Sequence, residues 1–197
     1  MVSIVVGMDL CDLRAQRRAL LKSGIGLGIR LCLAPIGSAQ NNPAAIRPKE
    51  EDLLVKVDDP SATPLTPADI RLAGPQTDAW AMDPTDKTVR NSSRLNRILL
   101  VRFDPALLSE ETRPHAAEGV VAFTAICTHS GCEVSEWIAD QQRVYCPCHS
   151  SAFDPRDGGK VVAGPAPRRL PALPLKIVDG KLVVAKPFIG RVGFEQA

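Results

Sequence analysis

The chain has 197 residues, of which 45% are hydrophobic and 23% charged, with 17 Pro and 14 Gly. This suits one ordinary globular domain with extra segments and excludes fibrous, low-complexity and wholly disordered classes. The formal net charge is +2 and acids and bases nearly balance from residue 40 onward, so nucleic acid is excluded as a partner.

Residues 1–39 hold the basic excess. Arg17-Arg18 precedes Leu20, Leu21 and Lys22, then a mostly apolar, Gly-rich run over 23–37, then Ser38-Ala39-Gln40. Basic, apolar and small-residue regions in that order are a signal-peptide layout, and the paired arginines resemble a twin-arginine export signal. A membrane anchor is the alternative. The apolar run is short and carries Arg30, whereas a span needs about 20 apolar residues and a central Arg costs about 2.5–3.5 kcal/mol. Cleavage after Ala39 and a periplasmic location are therefore expected, with tethering to the inner membrane if the signal stays uncleaved.

Residues 40–96 are polar and punctuated by Pro43, Pro48, Pro60, Pro64, Pro67, Pro75 and Pro84, which break any long helix. They read as an extended lead-in with one strand at 53–57 and a helical turn begun by Thr66-Pro67. Beyond Arg97 the pattern turns to β. Strands are expected at 98–103, 120–124, 143–145, 160–163, 175–178 and 181–185, with Asp179-Gly180 as a two-residue hairpin turn. The only plausible helix is 106–117, interrupted by Pro114. His115 reads as a surface residue. The expected fold is all-β, with metal-ligand residues in loops between strands.

Cysteine and histidine carry the chemistry. Besides Cys11 and Cys32 in the leader, Cys127, Cys132, Cys146 and Cys148 fall within 22 residues, together with two of the three histidines, His129 and His149. Such crowding of soft donors suits a metal site. The two half-sites are Cys127-Thr128-His129 and Cys146-Pro147-Cys148-His149, each offering one thiolate and one imidazole. Structural zinc sites usually pair Cys with Cys and His with His at short spacing; this sequence mixes them, although a zinc-filled structural module stays open at this point.

At these residues, Cys-Thr-His-x-Gly-Cys followed by Cys-Pro-Cys-His-x-Ser, the sequence resembles the Rieske iron–sulfur family over residues 97–190. The resemblance implies an antiparallel β-sandwich with a small cluster-binding subdomain, followed by a tail at 191–197. It implies one 2Fe–2S cluster, with Cys127 and Cys146 on one iron and His129 and His149 on the other. Two ferric ions, two sulfides and four thiolates carry two negative charges; exchanging two thiolates for neutral imidazoles leaves none, so an added electron is accepted more readily. The outward imidazole nitrogens then couple proton to electron transfer.

In the membrane-complex branch of the family, the positions of Cys132 and Cys148 form a disulfide joining the cluster loops; two free buried thiols are the alternative. Ser151 stands where the family's serine donates to a bridging sulfide. Ser150 replaces a common glycine, and Gly164-Pro165-Ala166-Pro167 resembles the proline loop that covers the cluster. Phe153 stands where high-potential members often carry tyrosine, whose hydroxyl donates to a ligand sulfur.

The function implied is a periplasmic electron-transfer protein or subunit that is not catalytic alone. Its redox partner is expected to be a cytochrome c, the large subunit of a molybdenum enzyme as in arsenite oxidase, or the cytochrome b of a quinol–cytochrome c oxidoreductase, with quinol as a further candidate. Because phenylalanine cannot donate a hydrogen bond, Phe153→Tyr is expected to raise the reduction potential in voltammetry; an unchanged potential would refute the role given to this position.

Overall fold

The computed structural model describes residues 42–194. The leader over 1–39, with Arg17-Arg18, Cys11 and Cys32, lies outside the described residues. Among the described residues there is no α-helix, and no helix is long and apolar enough to cross a membrane. The strands are β1 (Leu53–Lys56), β2 (Thr77–Met82), β3 (Ile98–Arg102), β4 (Val120–Thr124), β5 (Glu136–Ile138), β6 (Arg143–Cys146), β7 (Ser151–Asp154), β8 (Lys160–Ala163), β9 (Leu175–Val178) and β10 (Lys181–Val184). They form a six-stranded sheet in the order β4-β3-β2-β1-β10-β9 and a four-stranded sheet in the order β5-β6-β7-β8. All pairings within both are antiparallel.

β3 and β4 join the two layers. Alternate residues of a strand face opposite sides, and both sides of these strands meet apolar partners. Ile98, Leu100, Val120 and Ala122 pack with Leu54, Ile70, Leu173 and Leu182 in one core. Leu99, Val101, Val121 and Phe123 pack with Val144, Phe153, Leu170 and the two cysteines Cys127 and Cys146 in the other. This explains why Ile98-Leu99-Leu100-Val101 is a continuous apolar run and not an alternating one. Edge strand β4 is capped by the segment before β9: Leu173 N–H donates to Ala122 C=O at 2.9 Å and Thr124 N–H to Pro171 C=O at 3.0 Å.

Residues 42–96, expected as an extended lead-in, run through turns and three 3₁₀ turns and supply β1 and β2 to the middle of the large sheet. β2 has no expectation behind it because Asp78, Ala79 and Ala81 are weak strand formers; hydrogen bonding to β1 on one side and β3 on the other overrides that preference. The expected helix at 106–117 is corrected to two single 3₁₀ turns, Pro105–Leu107 and Arg113–His115. Pro105 and Pro114 each supply a fixed φ at a turn start and no N–H for a continuing helix. The turn at Thr66 forms over Pro67–Asp69 with a reciprocal capping box. Asp179 and Gly180, at φ +50° and +74°, make the hairpin turn between β9 and β10.

The lead-in is fastened by a buried ion pair. Arg90 binds Asp52 through Nε at 2.5 Å and Nη2 at 2.8 Å, with both side chains only 2% exposed. Arg90 Nη2 also donates to Asp83 at 3.0 Å. Asn96 Nδ2 donates to the Ile46 carbonyl at 2.7 Å and the Arg90 carbonyl at 3.1 Å. Removing one partner of such a pair strands a desolvated charge. Asp52→Asn is therefore expected to cost about 3 kcal/mol of stability, read as a lower urea midpoint at unchanged slope.

Candidate metal centre

Two loops of the small layer carry the donors. The first, residues 125–135, leaves β4 and folds back on itself: Cys127 N–H donates to Cys132 C=O at 2.8 Å, Gly131 N–H to Cys127 C=O at 3.1 Å, and Val134 N–H to Ala125 C=O at 2.8 Å. The second, residues 147–150, joins β6 to β7, whose paired ends are Cys146 and Ser151. Ser150 sits at φ +59°, a left-handed conformation that a glycine adopts without strain. This is the physical meaning of a glycine at that position.

A disulfide between Cys132 and Cys148, with Cα atoms 6.5 Å apart, ties the loops together. The free cysteines among the described residues are Cys127 and Cys146, both buried. The expected ligand pairs thus converge. The rings of His129 and His149 lie edge to face with centroids 4.6 Å apart. His129 is half-buried and His149 exposed, so the imidazole edge of the site reaches the surface while the thiols do not.

The chemistry of this donor set fits a cationic metal group. His129 Nδ1 is buried without a hydrogen-bond partner, an arrangement that costs free energy unless a ligand is satisfied there. Burial pushes the Cys146 thiol up; the Cys148 N–H opposes, hydrogen bonding with Cys127 adds to the rise, and the His149 N–H opposes again. A thiol desolvated in this way is a poor thiolate alone and a good one beside a cation. The Sγ atoms of Cys132, Cys146 and Cys148 also lie within 4.8 Å of one another. Two of those three are joined in the disulfide, so Cys146 is the free thiol of that group.

Ser151 is 1% exposed, and its Oγ accepts the Ala166 N–H at 3.2 Å. Its own proton is left for another acceptor. Phe153 is fully buried among the residues around Cys127 and Cys146. Ala166 belongs to the Gly164-Pro165-Ala166-Pro167 turn, which therefore lies over the second loop. Several residues that the motif reading passed over hold this arrangement. Thr128, between two donors and fully buried, donates to the Arg168 carbonyl at 2.6 Å and so fixes the first loop to the same turn. Ser130 Oγ approaches His149 Nδ1 at 3.4 Å. The tail is also engaged: Arg168 donates to the carbonyls of Arg191 at 2.7 Å and Gly193 at 2.5 Å. His115, expected at the surface, is half-buried.

A β scaffold that brings two thiols and two imidazoles to one tip defines a metal-binding domain of the iron–sulfur class. The family profile described as Rieske [2Fe-2S] domain matches residues 84–174. The chain is 33% identical over 119 residues to the cytochrome bc1 complex Rieske iron-sulfur subunit of Streptomyces lividans, covering 59% of this chain and 69% of that one. It is 39% identical over 97 residues to a putative respiratory nitrate reductase subunit Rieske of Haloferax mediterranei, covering 48% of this chain and 43% of that one. Against the solved soluble domain of the Rieske protein II of Sulfolobus acidocaldarius it is 25% identical with a TM-score of 0.36, covering 48% and 65% of the two chains. The chain belongs to the Rieske [2Fe-2S] family. It spans about two-thirds of the Streptomyces relative and less than half of the Haloferax one. The zinc-module alternative gives way to a 2Fe–2S cluster as the cofactor.

Gly164 shows how tightly the covering turn is set. Its φ is +82°, and a methyl group there would meet Ser150 O and Ser151 Cα at 2.5 Å. Gly180, at φ +74°, has open space around it. Gly164→Ala is therefore expected to speed thermal bleaching of the visible cluster absorption well beyond Gly180→Ala, which shares the backbone strain and lacks the collision. Equal bleaching would show that the approach of the turn to Ser151 does not protect the cluster.

Proposed function

We propose that the chain is the Rieske electron-transfer subunit of a periplasmic respiratory or oxidoreductase complex, passing single electrons to or from a partner protein. The observation that carries this reading is the meeting of two buried free thiols with two imidazoles, one of them exposed, at one disulfide-tied tip. Cys127 and Cys146 would hold one iron, and His129 and His149 the other. When bound, a 2Fe–2S cluster with mixed sulfur and imidazole ligands supplies a readily reduced one-electron centre.

The residues around it have separate tasks. Burial of Cys127 and Cys146 keeps water from the sulfur side, and the Cys148 and His149 amides direct N–H groups at the Cys146 sulfur. Ser151 holds a free hydroxyl proton on the same side. The ring of His149 is exposed to solvent, with Ser130 Oγ approaching its Nδ1 at 3.4 Å. That exposed edge is also the shortest route for an electron to a docked partner.

Export rests on Arg17-Arg18 and the apolar run that follows. Soluble periplasmic protein beginning at Gln40 would support a role beside a soluble partner such as a molybdenum enzyme or cytochrome c. A second reading, membership of a cytochrome bc complex, is favoured by the similarity to the Streptomyces subunit; it requires a membrane-retained N-terminus and quinol-dependent reduction. The test of the shared reading is direct. Purified protein should be brown, contain two irons and two acid-labile sulfides, and show a rhombic paramagnetic resonance with low mean g on reduction, a signal lost in His149→Ala. Colourless protein with a single divalent ion would overturn it.

A further inference from the structure

Beside the first cluster loop lies a concave recess of about 500 Å³ lined by Arg47, Leu95, Phe188, Arg191 and Phe194, with no acidic residue among the described residues of its wall. Its cations have no ionic counterpart among the described residues. Arg47 donates to the Leu95 carbonyl at 2.6 Å, and Arg168, from beneath, donates only to the Arg191 and Gly193 carbonyls. Arg47, Arg94, Arg168 and Arg191 are absent from every ion pair among the described residues, as are Arg71, Arg102, Arg113 and Arg143 elsewhere; Arg90, Arg97, Arg156 and Arg169 have carboxylate partners. The body of the chain is almost neutral overall. The recess and its border thus hold Arg47, Arg94, Arg168 and Arg191 with no carboxylate partner among the described residues.

The recess shares a wall with the centre. Gly131, between His129 and Cys132, has no side chain: a methyl group there would lie 2.6 Å from the Phe194 ring and 3.2 Å from Arg94 Nη2. The Phe194 ring and the Arg94 guanidinium thus rest on the loop that carries His129. Arg168 accepts the Thr128 hydroxyl on its carbonyl and holds the tail with its guanidinium, so the tail and the loop form one surface.

Guanidinium groups bordering an apolar floor match a partner segment that combines carboxylates with an apolar side chain, because Arg binds carboxylates bidentately and its plane stacks on aromatic rings. We propose that this recess is the docking site for an acidic redox partner protein, placing the exposed His149 edge against the partner's own centre. The inference rests on the electron-transfer reading above and adds to it the charge and the side of approach. Unpaired charges at the rim of such a contact act mainly on the association rate, through steering that salt screens.

The test uses full-chain holoprotein with its cluster reduced, mixed in stopped flow with a c-type cytochrome of net negative charge or with one of net positive charge. The expected result is faster oxidation by the acidic cytochrome, falling with ionic strength. In Arg47→Gln/Arg191→Gln that rate should fall about fivefold to tenfold at low salt, with the resonance spectrum and potential unchanged and no loss with the basic cytochrome. Arg191→Lys should retain most of the rate. Glu195, outside the described residues, is tested alongside: if Glu195→Gln accelerates the acidic cytochrome by as much as the double variant slows it, the recess serves the chain's own carboxylate and the docking proposal falls. Equal rates with both cytochromes, insensitive to the arginines, would overturn docking and leave the electron carrier intact. An intact cluster that reduces neither cytochrome would overturn both.

Discussion

Everything at the tip depends on holding two loops of different origin in one register while their sulfurs stay dry. The first loop leaves the large sheet after β4, and the second connects β6 to β7 in the small one. Neither loop contains a full donor set. The Cys132–Cys148 bond joins them covalently, and β3 and β4 place the large sheet's outer face and the small sheet in one apolar core. Cys127 and Cys146 lie inside that core, so the packing that stabilises the fold also desolvates the two free thiols.

Sealing is a third element's task. The Gly164–Pro167 turn reaches both loops through separate hydrogen bonds, Ala166 to Ser151 and the adjacent Arg168 carbonyl to Thr128. Each bond satisfies a buried polar group, for which the alternative is an unpaired group in an apolar site. The turn also needs Gly164, since Ser150 and Ser151 backbone atoms occupy the space of any side chain. The small hydroxyls near the centre, Thr128 and Ser151, thus act on position and on the electrostatics of the site together.

Much of this was legible in the residues themselves. The donor set could be read because soft ligands are scarce in the chain and crowd into one window. The strands around it could be read because β-branched and apolar runs alternate with turn residues: β4, β8 and β9 lie at the expected bounds. What escaped was decided by tertiary pairing. β2 is built from Asp78, Ala79 and Ala81, whose local preference is not for strand. β5 and β7 are three- and four-residue elements that exist through their ladders with β6 and β8. The part played by the tail escaped for a similar reason: nothing local in Arg191–Phe194 signals that its carbonyls receive Arg168 or that Phe194 lies over Gly131.

The two-faced character of β3 also sets where the polypeptide can be cut. A fragment begun just before Ile98 would retain every cysteine and histidine of the centre, yet it would open the β3 edge that β2 now covers and turn Ile98 and Leu100 toward water. An uncovered apolar edge of that kind recruits other strands, so such a piece is suited to aggregate before it can assemble a cluster. Only a portion that begins ahead of Asp52 keeps β1, β2 and the Arg90–Asp52 pair together with the centre.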